Sequence, residues 1–187
     1  MSIVIVPGID GSGDRHWQTL WQRADAGMVR IELASWSEPD LEDWIAALDD
    51  AEARARAVDP GSGILVVAHS LGCLAAVEWL GRGHGAGVVG AVLVAPPDEA
   101  IAVFPERCPS FIGIARHPPS VPLLLIASSD DPFCSTDATA RLAERWSAEL
   151  VVAGDLGHIN SDSALGTWAD GRRLVDDFAG RVFSAAA

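Results

Sequence analysis

Val66-Val67-Ala68-His69-Ser70-Leu71-Gly72 carries more information about the fold than any other stretch of the chain. It completes a continuous apolar run, Ile64 to Ala68, of the kind a strand buried on both faces presents. Leu71 to Leu80 then reads as a helix, stopped by Gly81-Arg82-Gly83. A serine at such a junction, flanked two residues away on each side by small residues, fits the nucleophile-elbow pattern G-x-S-x-G. Here the small positions are Ala68 and Gly72, so Ala stands where the pattern has its first Gly. They must be small because the strand and helix backbones converge at the turn. The turn also sets the serine at a helix N-terminus, whose amides and dipole favour negative charge. Five residues alone are a weak signature, and an N-cap serine is the plain structural alternative. The strand before and helix after favour Ser70 as a nucleophile.

Working outward, short apolar runs alternate with amphipathic segments. Ile3 to Val6 and Val29 to Leu33 are strand-like. His16 to Ala26 and Leu41 to Ala57 have helical spacing, the latter with Leu41, Trp44, Ile45, Leu48 and Ala51 on one face and Asp40 at its start as a cap. Val88 to Ala95, Leu123 to Ala127 and Leu150 to Val152 are further strands, Thr136 to Trp146 is a helix, and 165–183 contains the last one. This alternation predicts one α/β domain over 1–187, with a mostly parallel sheet of about six strands and helices on both faces. The longest irregular stretch, 96–122, is proline-rich and aperiodic. It reads as a short cap over the site, or as a meandering connection with one helical turn.

A serine hydroxyl needs a base, and the base an orienting carboxylate. On this architecture they follow the serine in the order acid, then His, each after a later strand. Leu123-Leu124-Leu125-Ile126-Ala127 leads into Ser128-Ser129-Asp130-Asp131-Pro132-Phe133, so the acid is Asp131 or Asp130. Asp131 is preferred because Asp131 to Ser135 follows a relaxed acid-turn pattern. After Val151-Val152-Ala153, the turn Gly154-Asp155-Leu156-Gly157 delivers His158 as the base. His69 adjoins Ser70, but neighbours at a sharp turn point apart, so it is not assigned that role. The glycine-rich loop Pro7-Gly8-Ile9-Asp10-Gly11-Ser12-Gly13 is placed to supply an oxyanion amide at Ile9, with Leu71 as the second donor. A phosphate-binding reading of that loop fails because it does not match G-x-G-x-x-G and no P-loop lysine exists. His16, Trp17, Trp36 and Phe133 are candidates for the substrate pocket, with a core position the alternative for Trp36.

Composition removes whole classes of chemistry. The chain has 187 residues and a formal charge of -13, with acids spread throughout. Such a surface repels phosphate backbones and anionic headgroups, so nucleic acid and membrane surfaces are poor partners. All 13 basic residues are Arg and there is no Tyr. Schiff-base chemistry and a tyrosine acid are thereby excluded. Cys73, Cys108 and Cys134 lack metal-ligand spacing and suit a reducing compartment. The start reads as a strand with no basic leader, and no apolar run approaches the ~18 residues of a membrane span. The expectation is a cytoplasmic enzyme without metal or cofactor, a monomer or small homo-oligomer.

These residues resemble the small serine hydrolases typified by retinoblastoma-binding protein nine and its bacterial relatives. The resemblance spans essentially the whole chain. It rests on P-G-I-D-G-S-G-D-R-H-W-Q near the start, A-H-S-L-G at the elbow, A-P-P-D, S-S-D-D-P-F at the acid and G-H-I-N-S-D-S-A-L-G-T-W at the base. It implies an α/β-hydrolase fold with a minimal cap and a triad of Ser70, Asp131 and His158. It further implies cleavage of a small ester or amide, without naming the substrate. Two alternatives stay open: a catalytically silent binding protein on the same fold, and acyl transfer or perhydrolysis through the same acyl-enzyme.

Overall fold

The structure is a computed structural model that describes residues 1–186. Its six strands are β1 (Ser2–Val6), β2 (Val29–Arg30), β3 (Ile64–His69), β4 (Val88–Val94), β5 (Leu123–Ala127) and β6 (Glu149–Val152). They form one sheet in the order β2-β1-β3-β4-β5-β6, and every pairing is parallel. The helices are α1 (Trp17–Ala24), α2 (Leu41–Val58), α3 (Leu71–Gly81), α4 (Phe104–Arg107), α5 (Thr136–Trp146) and α6 (Ala169–Ala186). This is the α/β-hydrolase architecture in an all-parallel form.

Strand alternation divides the core in two. Val4, Val6, Ile64, Val66, Ala68, Leu93 and Leu125 face α2, α3 and α5, while Ile3, Ile5, Leu65, Val67, Val92 and Ile126 face α1 and α6. Successive side chains of a strand point to opposite faces, so runs such as Ile-Leu-Val-Val-Ala must be apolar throughout. Trp44, Trp79 and Trp146 fill the first half and Trp17, Trp21 and Trp168 the second.

The chain enters at β1, winds outward to β2, then crosses back over β1 to β3. The sheet order therefore reverses between β1 and β3, and the crevice at the carboxyl ends of these two strands is where ligands bind in open α/β sheets. The glycine loop after β1 and the elbow after β3 both open there. They are pressed together: a Cβ added to Gly72 would lie 2.4 Å from the Pro7 carbonyl oxygen, and one added to Gly8 would lie 2.7 Å from Ser70 Cβ.

The second strand differs from the sequence reading, which ran it from Val29 to Leu33. β2 is two residues long, because the chain beyond it leaves the sheet edge to bring the Trp36 carbonyl to the Asp10 amide (2.8 Å). Residues 96–122, read from the sequence as a short cap or a connection with one helical turn, form an ordered segment at the cavity. They hold α4 and a 3₁₀ turn (Pro109–Phe111), with Phe104, Cys108, Phe111 and Ala115 buried. Tertiary hydrogen bonds fix the segment, among them Trp146 Nε1 to the Ala115 carbonyl (2.7 Å), the Ala115 amide to Glu78 Oε2 (2.8 Å) and the Leu41 amide to Ser110 Oγ (3.1 Å). Among the described residues no helix is long and apolar enough to cross a membrane.

The clash at Gly72 involves backbone oxygens that cannot swing aside. Gly72→Ala is therefore expected to destabilise the fold by about 1–3 kcal/mol, from overpacking, as read by urea unfolding. An unchanged midpoint would mean that the β1 loop and α3 are not in close contact.

Candidate active site

Ser70 sits between β3 and α3 with φ 54° and ψ -127°, a conformation disfavoured for an L-residue. The turn is held by the Ser70 amide on the Val94 carbonyl and the Cys73 amide on the Ser70 carbonyl, each 2.9 Å. As N-cap of α3, Ser70 makes no side-chain capping bond. Its Oγ instead lies 2.8 Å from His158 Nε2.

The loop after β6 carries His158, and the loop after β5 carries Asp131. Nδ1 of His158 meets Asp131 Oδ2 at 2.9 Å and Oδ1 at 3.0 Å. A carboxylate on Nδ1–H selects the tautomer whose Nε2 lone pair faces the serine hydroxyl. The pair is enclosed, with side-chain exposures of 9% for His158 and 3% for Asp131. In such surroundings charge–charge and hydrogen-bond interactions are weakly screened. Asp130 does a different job: its Oδ1 accepts from Ser128 Oγ and from the Gly157 amide, both at 2.7 Å. Those bonds, Ser128 first, hold its carboxyl below the usual carboxylate range. It ties the β5 loop to the turn that carries His158.

Ile9 and Leu71 border the same cavity as Ser70. Among the described residues no acceptor takes either amide N–H. Amides without an acceptor at a cavity that a serine also borders are of the kind that can stabilise a developing oxyanion. The cavity has a volume of about 360 Å³. Leu71, Ile101, Phe104 and Phe133 give it an apolar wall, and Arg107 lies at its edge, 3.0 Å from Asp10 of the glycine loop. The cap segment thus contributes one side of the cavity. No group of three His, Cys, Asp or Glu side chains that could hold a metal occurs among the described residues.

Of the four pocket candidates, the structure brings His16 and Phe133 to the cavity. The Phe133 ring packs edge-on against His158, centroids 4.6 Å apart. Trp17 and Trp36 are elsewhere. Trp17 is 1% exposed beneath the site, with Nε1 donating to the Ile159 carbonyl (2.8 Å). It belongs to the buried face of α1, which helical spacing alone left ambiguous. Trp36 lies against Gly11 of the glycine loop and the ring of Trp44, and is not among the residues that border the cavity.

The sequence reading also passed over Gln18 and the packing of His69. Gln18 is fully buried, its Nε2 donating to the Val6 and Val67 carbonyls (3.2 Å each) and its Oε1 accepting from Ser12 Oγ (2.6 Å). It knits the ends of β1 and β3 to the glycine loop, and one polar residue in an amphipathic helix gives no warning of that. His69 stands between two other imidazoles, 4.8 Å from His16 and 5.0 Å from His158 by centroid.

A family model described as "Serine hydrolase" matches residues 3–177. Among proteins of curated function none matches the sequence. A YdeN-like hydrolase from Pectobacterium atrosepticum is 32% identical, with 97% of this chain and 92% of that one covered at a TM-score of 0.82. The ydeN gene product of B. subtilis is 24% identical, covered at 98% of each chain, with a TM-score of 0.76. Esterase 2 of Thermogutta terrifontis shares the fold at 17% identity and a TM-score of 0.68, covering 97% of this chain and 83% of that one.

The buried imidazoles make stability depend on pH. Burial foremost, then the Arg30 charge and His158, lower the His16 pKa from 6.5 to about 4. Burial likewise pushes His69 well below its ordinary value. The unfolded chain therefore takes up protons that the folded chain refuses, so stability is full above about pH 6.5 and is lost as the pH falls toward 4. His16 alone accounts for a loss of about 3 kcal/mol. His16→Asn, which keeps an acceptor near the Nδ1 position, is expected to flatten the curve of urea-unfolding free energy between pH 6.5 and 4. An equally steep fall in the variant would contradict this.

Proposed function

The chain belongs to the serine hydrolase family, and from that premise we propose that it cleaves small esters or amides through an acyl-enzyme on Ser70. The observation that carries this reading is the unbroken hydrogen-bonded line from Ser70 Oγ through His158 to Asp131, at 2.8 and 2.9 Å. It faces a cavity bordered by two unpartnered amides, Ile9 and Leu71.

In the proposed mechanism Ser70 Oγ attacks the substrate carbonyl carbon while its proton passes to His158 Nε2. The carbonyl oxygen takes the negative charge and is met by the Ile9 and Leu71 N–H groups. Asp131 keeps His158 in the correct tautomer and steadies the imidazolium without taking the proton itself. The tetrahedral intermediate collapses, the bond to the leaving group breaks, and His158 returns the proton to the departing alcohol or amine. Water, activated in turn by His158, attacks the acyl carbon and frees Ser70. All the groups needed for both halves come from this chain, which supports a reading without metal or cofactor.

The cavity also argues for a class of substrate. Its 360 Å³ stands near the lower end of the range for small-molecule sites. Polar groups border it at Ser70 and His158 and again at Asp10, Arg107, Asn160 and Ser161, and its apolar wall comes from Ile101, Phe104 and Phe133. These features favour short acyl groups with an apolar body.

On p-nitrophenyl butyrate, Ser70→Ala is expected to abolish turnover, and Asp131→Asn to lower kcat by about 10⁴-fold. Asp130→Asn is expected to cost far less, because that carboxylate braces a loop. A larger loss from Asp130→Asn than from Asp131→Asn would reassign the acid. Across a series of acyl lengths, kcat/KM is expected to be highest at butyrate or shorter, and a preference for palmitate would contradict the short-acyl reading.

A further inference from the structure

His158 is followed by a residue in an unfavourable conformation. Ile159 is fully buried and has φ 48°. That is the left-handed region, where a β-branched residue is an outlier because its Cβ crowds the backbone. Strain of this kind persists only where the surroundings over-determine it. Here the restraints can be named. The Nε2–H of His69 donates to the His158 carbonyl at 2.9 Å, and the Nε1–H of Trp17 donates to the Ile159 carbonyl at 2.8 Å. Two consecutive carbonyls are thus gripped by two ring N–H groups from different parts of the chain.

The grip is rigid. His69 ends β3, and strand alternation sends its ring to the α1/α6 face, where Trp17 opens α1. The two rings meet edge to face at 6.2 Å, and Trp17 packs further on Trp21 (4.5 Å) and Trp168 (5.2 Å). Both bonds are shielded from water, since Trp17 is 1% and His69 4% exposed. The third restraint is local, the Ile159 amide on the Leu156 carbonyl at 3.2 Å.

We propose that His69 and Trp17 are positioning residues: by clamping the His158 and Ile159 carbonyls they hold the base in register with Ser70. His69 precedes the nucleophile in sequence, so one short segment fixes both partners of the proton transfer. Ser70 Oγ is set by the elbow and the His158 backbone by the residue before it. The proposal rests on the Ser70–His158 reading of the site. It gives both rings a role distinct from contact with substrate.

Three variants test it with p-nitrophenyl butyrate, each checked for folding by its thermal midpoint. His69→Leu and Trp17→Phe remove the N–H and keep an apolar body. His69→Gln restores a donor close to the Nε2 position. A loosened base costs turnover while leaving substrate affinity alone, and displacements of about 1 Å at a reacting group cost up to about 10²-fold. The expected result is a kcat lower by about 10- to 10²-fold in His69→Leu and Trp17→Phe, with KM within about twofold, and His69→Gln within about threefold of the wild type. Two results overturn the proposal: Leu and Phe variants that keep wild-type kcat, or a folded His69→Gln as poor as His69→Leu. If Ser70→Ala turns over as fast as the wild type, the nucleophile assignment itself falls and the proposal goes with it.

Discussion

The site depends on one forced backbone turn. At Ser70 the chain passes from a buried strand to a buried helix with φ 54° and ψ -127°. A conformation this sparsely populated costs on the order of 1–3 kcal/mol, and the surrounding fold has to supply it. It does so by packing on all sides: the Ser70 amide is spent on the Val94 carbonyl, the first two turns of α3 (71–77) are buried at every residue, and Gly72 and Gly8 let the β1 loop touch the elbow. The same contacts that enforce the turn deliver the chemistry. Because β1 and β3 flank the point where sheet order reverses, Ile9 and Leu71 border one cavity, and among the described residues neither amide has an acceptor.

The opposite half of the site is built on different principles. His158 lies on a loop after the edge strand, where no helix or sheet ladder fixes it, so its position has to come from side chains. Asp131 holds Nδ1, Asp130 holds the Gly157 amide, Ser128 Oγ holds the Leu156 amide at 2.8 Å, and His69 and Trp17 take the following carbonyls. The two adjacent carboxylates have divided labour, with Asp131 enclosed against the base and Asp130 exposed in the loop tie. The three imidazoles His16, His69 and His158 stand in line, and burial keeps the first two neutral at ordinary pH.

Much of this was legible in the residues. Apolar runs long enough for two-sided burial, broken by helices with clear periodicity, give the parallel sheet and the place of the elbow. The order of serine, acid and histidine after successive strands gives the candidate triad, and the geometry has Asp131, the residue preferred over Asp130, in contact with His158. What the sequence did not resolve depends on which face of an element meets which neighbour. Trp17 and Trp36 were both plausible in a pocket; one closes the α1 face of the core and the other backs the glycine loop. Residues 96–122 carry no periodicity because their order comes from tertiary bonds to α2 and α5. Gln18 and His69 do their work through backbone carbonyls distant in sequence, and nothing in a local pattern signals that.

The claim at the centre of the account is that Ser70 is an activated nucleophile. Incubation with a fluorophosphonate probe, followed by peptide mapping, tests it without knowledge of the natural substrate. The account predicts a covalent adduct on Ser70 that is absent in Ser70→Ala and forms far more slowly in His158→Ala. A folded wild-type protein that never labels, or labels at a residue other than Ser70, would contradict it.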